Sequence, residues 1–287
     1  MNDAVPTTTP QEIAPETWLI PNMYPAGPDG FIAVNTMLIR GAEPVIVDTG
    51  CPIHKELWKE KVFSLVDPED VRWIFLSHDD GDHTGSLLDA LEMCPNATLI
   101  CNFFIVERLG LEYDLPLDRM CWLQPGESFD AGDRTLHLFK PPIFDGPTTR
   151  GLYDAKTAAM WIVDSFAHVV PGEEALYDVR AVPQDLYDET FPMFNSLISP
   201  WHQWLDPAVY SRHLDDVEGL GLLTVASAHG SVHTGPAIHD AFERVRRMAG
   251  QPINPGPGPD ALEQMLAEIA AAESAPDATA PDPVPAG

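Results

Sequence analysis

Ser77-His78-Asp79-Asp80-Gly81-Asp82-His83-Thr84-Gly85 is the stretch that most constrains how this chain can fold. It follows Val71-Arg72-Trp73-Ile74-Phe75-Leu76, an apolar run with the β-branched and aromatic composition of a buried strand. Four potential metal ligands, His78, Asp80, Asp82 and His83, therefore fall within six residues at a strand exit. One tight loop can aim their imidazoles and carboxylates at a common point, with Gly81 and Gly85 expected to let it bend. Asp79 reads as a turn former.

The flanking pattern is that of a layered α/β fold. Apolar runs at 31–40 and 43–50, joined by Gly41-Ala42, suggest antiparallel strands. A helix is expected over 54–66, a strand at 71–76, a helix at 86–93, a strand at 97–102 and a short helix at 104–109. Residues 119–123 and 135–140, with the glycine turns between them, suggest a return to hairpins before the breaker Pro141-Pro142. Strands at 158–163 and 222–227 end on Asp164 and on Ala228-His229-Gly230, so each delivers a ligand-type residue at a strand end. Helices are expected within 185–220, their tryptophans Trp201 and Trp204 near a pocket or in the core, and another at 236–248. Residues 1–250 then form one domain, and 251–287 a Pro/Ala-rich acidic tail. Within the tail, Asp260 could cap a short helix with Leu262, Met265, Leu266 and Ile269 on one face, and 274–287 has a disordered composition.

Lys and Arg total 16 against 44 Asp and Glu, a formal charge of -28 that argues against nucleic acid or an anionic membrane as partner. No basic leader or apolar run of membrane-spanning length is evident, so a cytoplasmic protein is expected. Cys51, Cys94, Cys101 and Cys121 lack a paired spacing and read as reduced thiols.

Ile74-Phe75-Leu76-Ser77-His78-Asp79-Asp80-Gly81-Asp82-His83-Thr84-Gly85-Ser86-Leu87 resembles the signature loop of the metallo-β-lactamase fold, and more closely its flavodiiron, oxygen-binding di-iron branch, which carries HxExDHxGSL. Pro95-Asn96-Ala97-Thr98, the Gly132-Asp133-Arg134-Thr135-Leu136 turn, Val163-Asp164-Ser165-Phe166 and Ala228-His229-Gly230 resemble later blocks of that branch, so the likeness spans 31–250. It implies an αββα four-layer sandwich holding two metal ions. One would take His78, Asp80 and Asp145, the other Asp82, His83 and His229, with Asp164 bridging and Asp82 as the candidate catalytic residue. The branch has Glu where Asp80 stands and His where Asp145 stands, so both departures fall on one metal. Asp145, before Gly146-Pro147, also reads as a turn aspartate. His137 reads as structural, and His168, His202 and His233 as packing histidines that could orient ligands.

Three neutral imidazoles and four carboxylates sum to a charge that two divalent ions neutralise. The carboxylate-rich set favours iron, or manganese, over zinc. The resemblance implies a protein that binds, reduces or senses dioxygen or a related diatomic. With 58 residues after His229 there is no room for the FMN-bearing flavodoxin domain of that branch, so a separate redox partner protein is expected. The alternative is a zinc hydrolase acting on a small-molecule ester, thioester, lactone or phosphate through a metal-activated water. A degenerate site serving as an interaction module is a third reading, and assembly into a homo-oligomer is left open.

Overall fold

The computed structural model describes residues 6–26, 30–253 and 255–274. It divides into two compact units, 1–253 and 254–287.

The first unit begins with strands β1 (Gln11–Ala14), β2 (Thr17–Ile20), β3 (Met23–Pro25), β4 (Phe31–Ala33), β5 (Thr36–Ile39) and β6 (Val45–Val47). Helix α1 (Lys55–Phe63), strand β7 (Trp73–Phe75), the single turn α2 (Gly81–Thr84), helix α3 (Leu87–Met93), strand β8 (Thr98–Cys101), helix α4 (Phe103–Leu109) and strand β9 (Met120–Trp122) follow. They build a sheet of order β1-β2-β5-β6-β7-β8-β9, parallel from β6 onward. The second sheet comprises β10 (Ser128–Asp130), β11 (Thr135–Phe139), β12 (Gly151–Asp154), β13 (Ala159–Trp161), β14 (Thr224–Ala226) and β15 (His233–Thr234) in that order, with β13 and β14 parallel. Its outer face carries α5 (Gln184–Ile198), α6 (Pro207–Glu218) and α7 (Pro236–Met248).

Alternation along the strands explains the layering. Val45, Val47, Phe75 and Ile100 point into a core shared with Leu136, Leu152, Trp161 and Ala226 of the other sheet. Their neighbours Ile46, Ile74, Leu99 and Cys101 pack instead against Trp58, Val62, Leu87 and Ile105 of the covering helices. On the second sheet, Met160 and Val225 face Phe191, Leu214 and Phe242. Strands buried on both faces separate three cores, which is the αββα sandwich.

Several expected elements differ. The 31–40 run breaks at Val34-Asn35 into β4, which pairs with β3 outside the main sheets, and β5, which does join β6 antiparallel. Residues 119–123 form no hairpin: β9 lies parallel to β8 at the edge of the first sheet. The N-terminal strands β1 to β3 lie before the resemblance begins and were not anticipated. All four cysteines are free thiols.

In the second unit, α8 (Pro259–Ser274) is longer than the short helix expected, with Leu262, Met265 and Leu266 exposed. Most of the segment expected to be disordered, 275–287, lies outside the described residues. No helix among the described residues is long and apolar enough to cross a membrane.

Candidate metal centre

Four strand exits meet at one end of the sandwich. The parallel pair β6 and β7 delivers Asp48 and His78, and the parallel pair β13 and β14 delivers Asp164 and His229. Within the loop after β7 the backbone stays extended through Asp80 (φ -69°, ψ 149°) and then winds into α2. His78 and Asp80, two residues apart in extended chain, share one side, while the helical turn presents Asp82 and His83.

All seven residues expected to bind metal are brought together. Their donor atoms form three overlapping groups, each within 4.8 Å: His78 with His83 and Asp164, Asp82 with His83 and His229, and His78 with Asp80 and Asp145. His83 Nε2 lies 3.1 Å and His229 Nε2 3.4 Å from Asp164 Oδ1, and His78 Nε2 lies 3.3 Å from Asp164 Oδ2. His229 Nε2 is also 3.2 Å from Asp82 Oδ2. The His78 and His83 rings lie side by side, tilted 50° to each other with centroids 3.9 Å apart. His78 Nε2, His83 Nε2 and Asp164 Oδ1 are buried without a hydrogen-bond partner. Buried polar atoms are rarely left so, and imidazole and carboxylate donors converging in this way suit a bound cation.

The far sides of the rings are fixed. Asp48 accepts hydrogen bonds from the Ser77 amide (2.7 Å), the Ser77 hydroxyl (2.7 Å) and Trp161 Nε1 (3.0 Å), and its Oδ2 lies 3.0 Å from His83 Nδ1. His229 Nδ1 sits 2.9 Å from the Ala33 carbonyl. Asn35 Nδ2 donates to the Ser227 and Gly230 carbonyls, holding the turn that carries His229. Arg150, fully buried, donates to the Leu76 and Leu123 carbonyls, and its amide donates to the Ser77 carbonyl, so it braces the exit of β7. Such partners set the orientation of metal-ligating side chains. Asp48, Asn35 and Arg150 were not singled out in the sequence, although Asp48-Thr49-Gly50 at a strand end was a visible signal.

Backbone strain gathers at the same place. Asp48 (φ 60°), Val163 (φ 58°) and Phe166 (φ 68°) are left-handed non-glycine residues, and a β-branched valine there is a marked outlier. Gly85 works differently from expectation: its backbone is ordinary (φ -60°), but a Cβ would come within 2.3 Å of Pro52 N. It permits close approach, whereas a Cβ at Gly81 would meet nothing within 4 Å.

Electrostatics follow from seven ionisable groups packed together. Burial would depress the His229 pKa, but Asp164 and Asp82 overcome it and raise it to about 10. His83 is raised too, the carboxylates of Asp164, Asp48 and Asp82 outweighing burial. Burial works against ionised Asp164 and Asp82, yet neighbouring histidines hold both below the usual carboxylate range. Asp80 is pushed up to about 6 by burial, with Asp145, Asp164 and Asp82 adding to it against His78.

The centre opens into a cleft of about 340 Å³ lined by Tyr24, Ile32, Phe194, Leu197 and Ile198 together with Asp80, Asp82, Asp145, Asp164 and His229. Burial, then Asp82 and Cys51, raise the Tyr24 pKa, so its hydroxyl keeps its proton. The expected tryptophans do not line this cleft: Trp204 is 78% exposed and Trp201 packs on Phe144. Asp79 turns away to Arg108 Nη1 (2.9 Å) and Thr148 Oγ1 (2.6 Å). His137 lies exposed on β11, and His202 bonds the Ser199 carbonyl. His168 and His233 are buried and bond Ser231, and the His168 amide donates to the His229 carbonyl.

Residues 29–154 match the metallo-beta-lactamase superfamily. The nitric oxide reductase of Moorella thermoacetica is 22% identical over 200 residues, covering 69% of this chain and 49% of that protein. The anaerobic nitric oxide reductase flavorubredoxin of Pectobacterium atrosepticum is 21% identical over 201 residues, covering 69% and 38%. Among solved structures, rubredoxin oxygen:oxidoreductase from Desulfovibrio gigas superposes with a TM-score of 0.73 at 16% identity, over 85% of this chain and 62% of that one. The flavodiiron protein of Giardia intestinalis superposes with a TM-score of 0.69 at 17% identity, over 85% and 60%. The chain thus spans about half or less of the length of these two curated relatives. It carries a metallo-beta-lactamase domain with that superfamily's αββα fold, and its relatives in sequence and structure are flavodiiron proteins, of which it covers the metallo-beta-lactamase-like part.

Proposed function

We propose that this chain holds a dinuclear iron centre that binds, reduces or senses dioxygen or a related diatomic, with electrons drawn from a separate donor. The observation that carries the reading is the convergence of His78 Nε2, His83 Nε2 and Asp164 Oδ1, buried and unpartnered, within overlapping groups of donors. One ion would be held by His78, Asp80 and Asp145, the other by Asp82, His83 and His229, with Asp164 shared. Four carboxylates beside three imidazoles favour iron or manganese over zinc. The names of relatives, nitric oxide reductase and oxygen:oxidoreductase, support a redox class. When bound, such ions supply electron transfer to a small ligand.

The chain's own residues do the rest. Asp48 and the Ala33 carbonyl orient the imidazoles of His83 and His229. Asp82, ionised at the cleft, is the candidate catalytic carboxylate, and Tyr24 presents a protonated hydroxyl to the same cleft. Ile32, Phe194, Leu197 and Ile198 give the cleft its apolar lining. Reducing a diatomic consumes electrons as well as protons, so a reduced flavin or iron–sulfur protein is the class of partner required.

Metal analysis and gas uptake test this. Reduced, iron-loaded protein mixed with oxygen or nitric oxide should consume it or develop new near-ultraviolet or visible absorption, while zinc-loaded protein should be a poor esterase and lactonase. Efficient lactone or thioester hydrolysis by the zinc form, with an iron form inert to both gases, would transfer the assignment to a hydrolase.

A further inference from the structure

The loop that carries Asp145 is fastened unequally on its two sides. Upstream it is tied to other parts of the fold by uncharged groups. The Ile143 amide donates to Ser165 Oγ (2.9 Å), whose hydroxyl lies 3.0 Å from the Ile143 carbonyl, next in sequence to Asp164. Tyr210 donates to the Pro142 carbonyl (2.6 Å) and Ser199 to the Phe144 carbonyl (2.8 Å). Downstream, Thr148 is tied by its hydroxyl to Asp79 Oδ1 (2.6 Å) and by its carbonyl to Asn102 Nδ2 (3.4 Å), while the residues on either side of it are gathered by a cation from the end of β11. Lys140 Nζ donates to the Gly146 carbonyl (2.9 Å) and the Thr149 carbonyl (3.1 Å), and stands 3.9 Å from the centroid of the Phe144 ring. The Thr149 hydroxyl in turn donates to Asp145 Oδ1 (2.5 Å). One ammonium therefore gathers the residues on both sides of Asp145 together with the threonine that aims its carboxylate.

From this geometry, and resting on the dinuclear reading above, we infer that Lys140 is a positioning residue for the half of the centre formed by His78, Asp80 and Asp145. It closes the 141–149 loop on itself so that the Asp145 carboxylate meets the other two donors. Without it the Gly146 and Thr149 carbonyls lose a charged donor, so that, although Thr148 and the upstream residues stay tied, the Gly146 and Thr149 segments that set the direction of the Asp145 carboxylate loosen. The half formed by Asp82, His83 and His229 is held by Asp48, Ala33 and Asn35 and has no part in this clamp.

An anaerobic calorimetric titration with Fe(II) alone, combined with a double-mutant cycle, separates this role from a general loss of stability. Wild type should show two binding events, and Asp145→Asn identifies the one that belongs to the altered half. Lys140→Met should weaken that same event by about tenfold, the lower end of what losing an outer partner of a metal ligand costs, and leave the other within about twofold. In an Asp145→Asn background it should produce no further loss. Lys140→Gln, whose amide keeps one donor, should lose less than Lys140→Met. Equal weakening of both events, an unchanged tenfold loss in the Asp145→Asn background, or no loss at all would overturn the inference while leaving two bound ions in wild type intact. Fewer than two Fe(II) in wild type would instead sink the dinuclear reading and this inference with it.

Discussion

The two halves of the proposed centre each draw two donors from the loop after β7 yet are built to different standards. His83 is buried with its Nδ1 against Asp48, and His229 has its Nδ1 against a backbone carbonyl, so both imidazoles are locked before any ion arrives. In the other half, Asp80 has 54% of its side chain exposed, and the half-buried Asp145 has one carboxylate oxygen engaged by the Thr149 hydroxyl. Rigid donors bind tightly because little ordering remains to be done on binding. The contrast is one of side chains: the two positions at which the sequence departs from the pattern it resembles, Asp80 and Asp145, are the carboxylates of the altered half, and neither is braced as His83 and His229 are.

Removing a locked imidazole should have the largest effect. His83→Ala should abolish tight binding of at least one ion, which metal analysis after dialysis will show as a stoichiometry near one or below. Retention of two ions would mean that His83 is not a ligand.

Protons provide the next test, because raised histidine pKa values mean that ions must displace them. In metal-free protein His83 and His229 carry protons at neutral pH, so filling their half should release about two protons and gain up to about a hundredfold in affinity per pH unit. The sign for stability is opposite in metal-free protein. A folded pKa of about 10 for His229, against 6.5, gives stabilisation that is complete below pH 6.5 and lost as pH rises through about 10. Thermal melts from pH 6.5 to 10 should therefore fall for metal-free protein and stay flatter for the loaded form.

Asp48 braces the locked half from behind. Asp48→Ala leaves Ser77, Trp161 and His83 without their acceptor and should cost up to about a hundredfold in affinity at the locked half, read by the same titration. A loss confined to the altered half would show that the locking does not come from Asp48.

Much of this architecture was legible because strand alternation and the His/Asp loop are local signals. The donors at 78, 80, 82, 83, 164 and 229 sit at strand exits, and an apolar run ending on a polar residue can be read from sequence. What supports them could not be read that way. Asn35 reaches the Ser227 and Gly230 carbonyls across nearly two hundred residues, and Arg150 caps a strand end more than seventy residues earlier. Such contacts depend on how the two sheets are docked. The break at Val34-Asn35 was hidden for the same reason: the apolar run continues, but the Asn35 amide is claimed by Ala228 in the other half of the chain.

The smallest expected effect falls on Asp145, and it decides whether the altered half is a working site or a remnant. Its carboxylate already accepts a hydrogen bond from Thr149 and borders the open cleft, so water can take its place at modest cost. Asp145→Ala should therefore lower affinity at that half by only about tenfold and leave the locked half unchanged. Loss of both ions on Asp145→Ala, with His229→Ala losing neither, would make the 141–149 loop, not the locked half, the anchor of the centre. No change at either half would leave Asp145 a turn residue, and the ion beside His78 and Asp80 would then be completed by solvent.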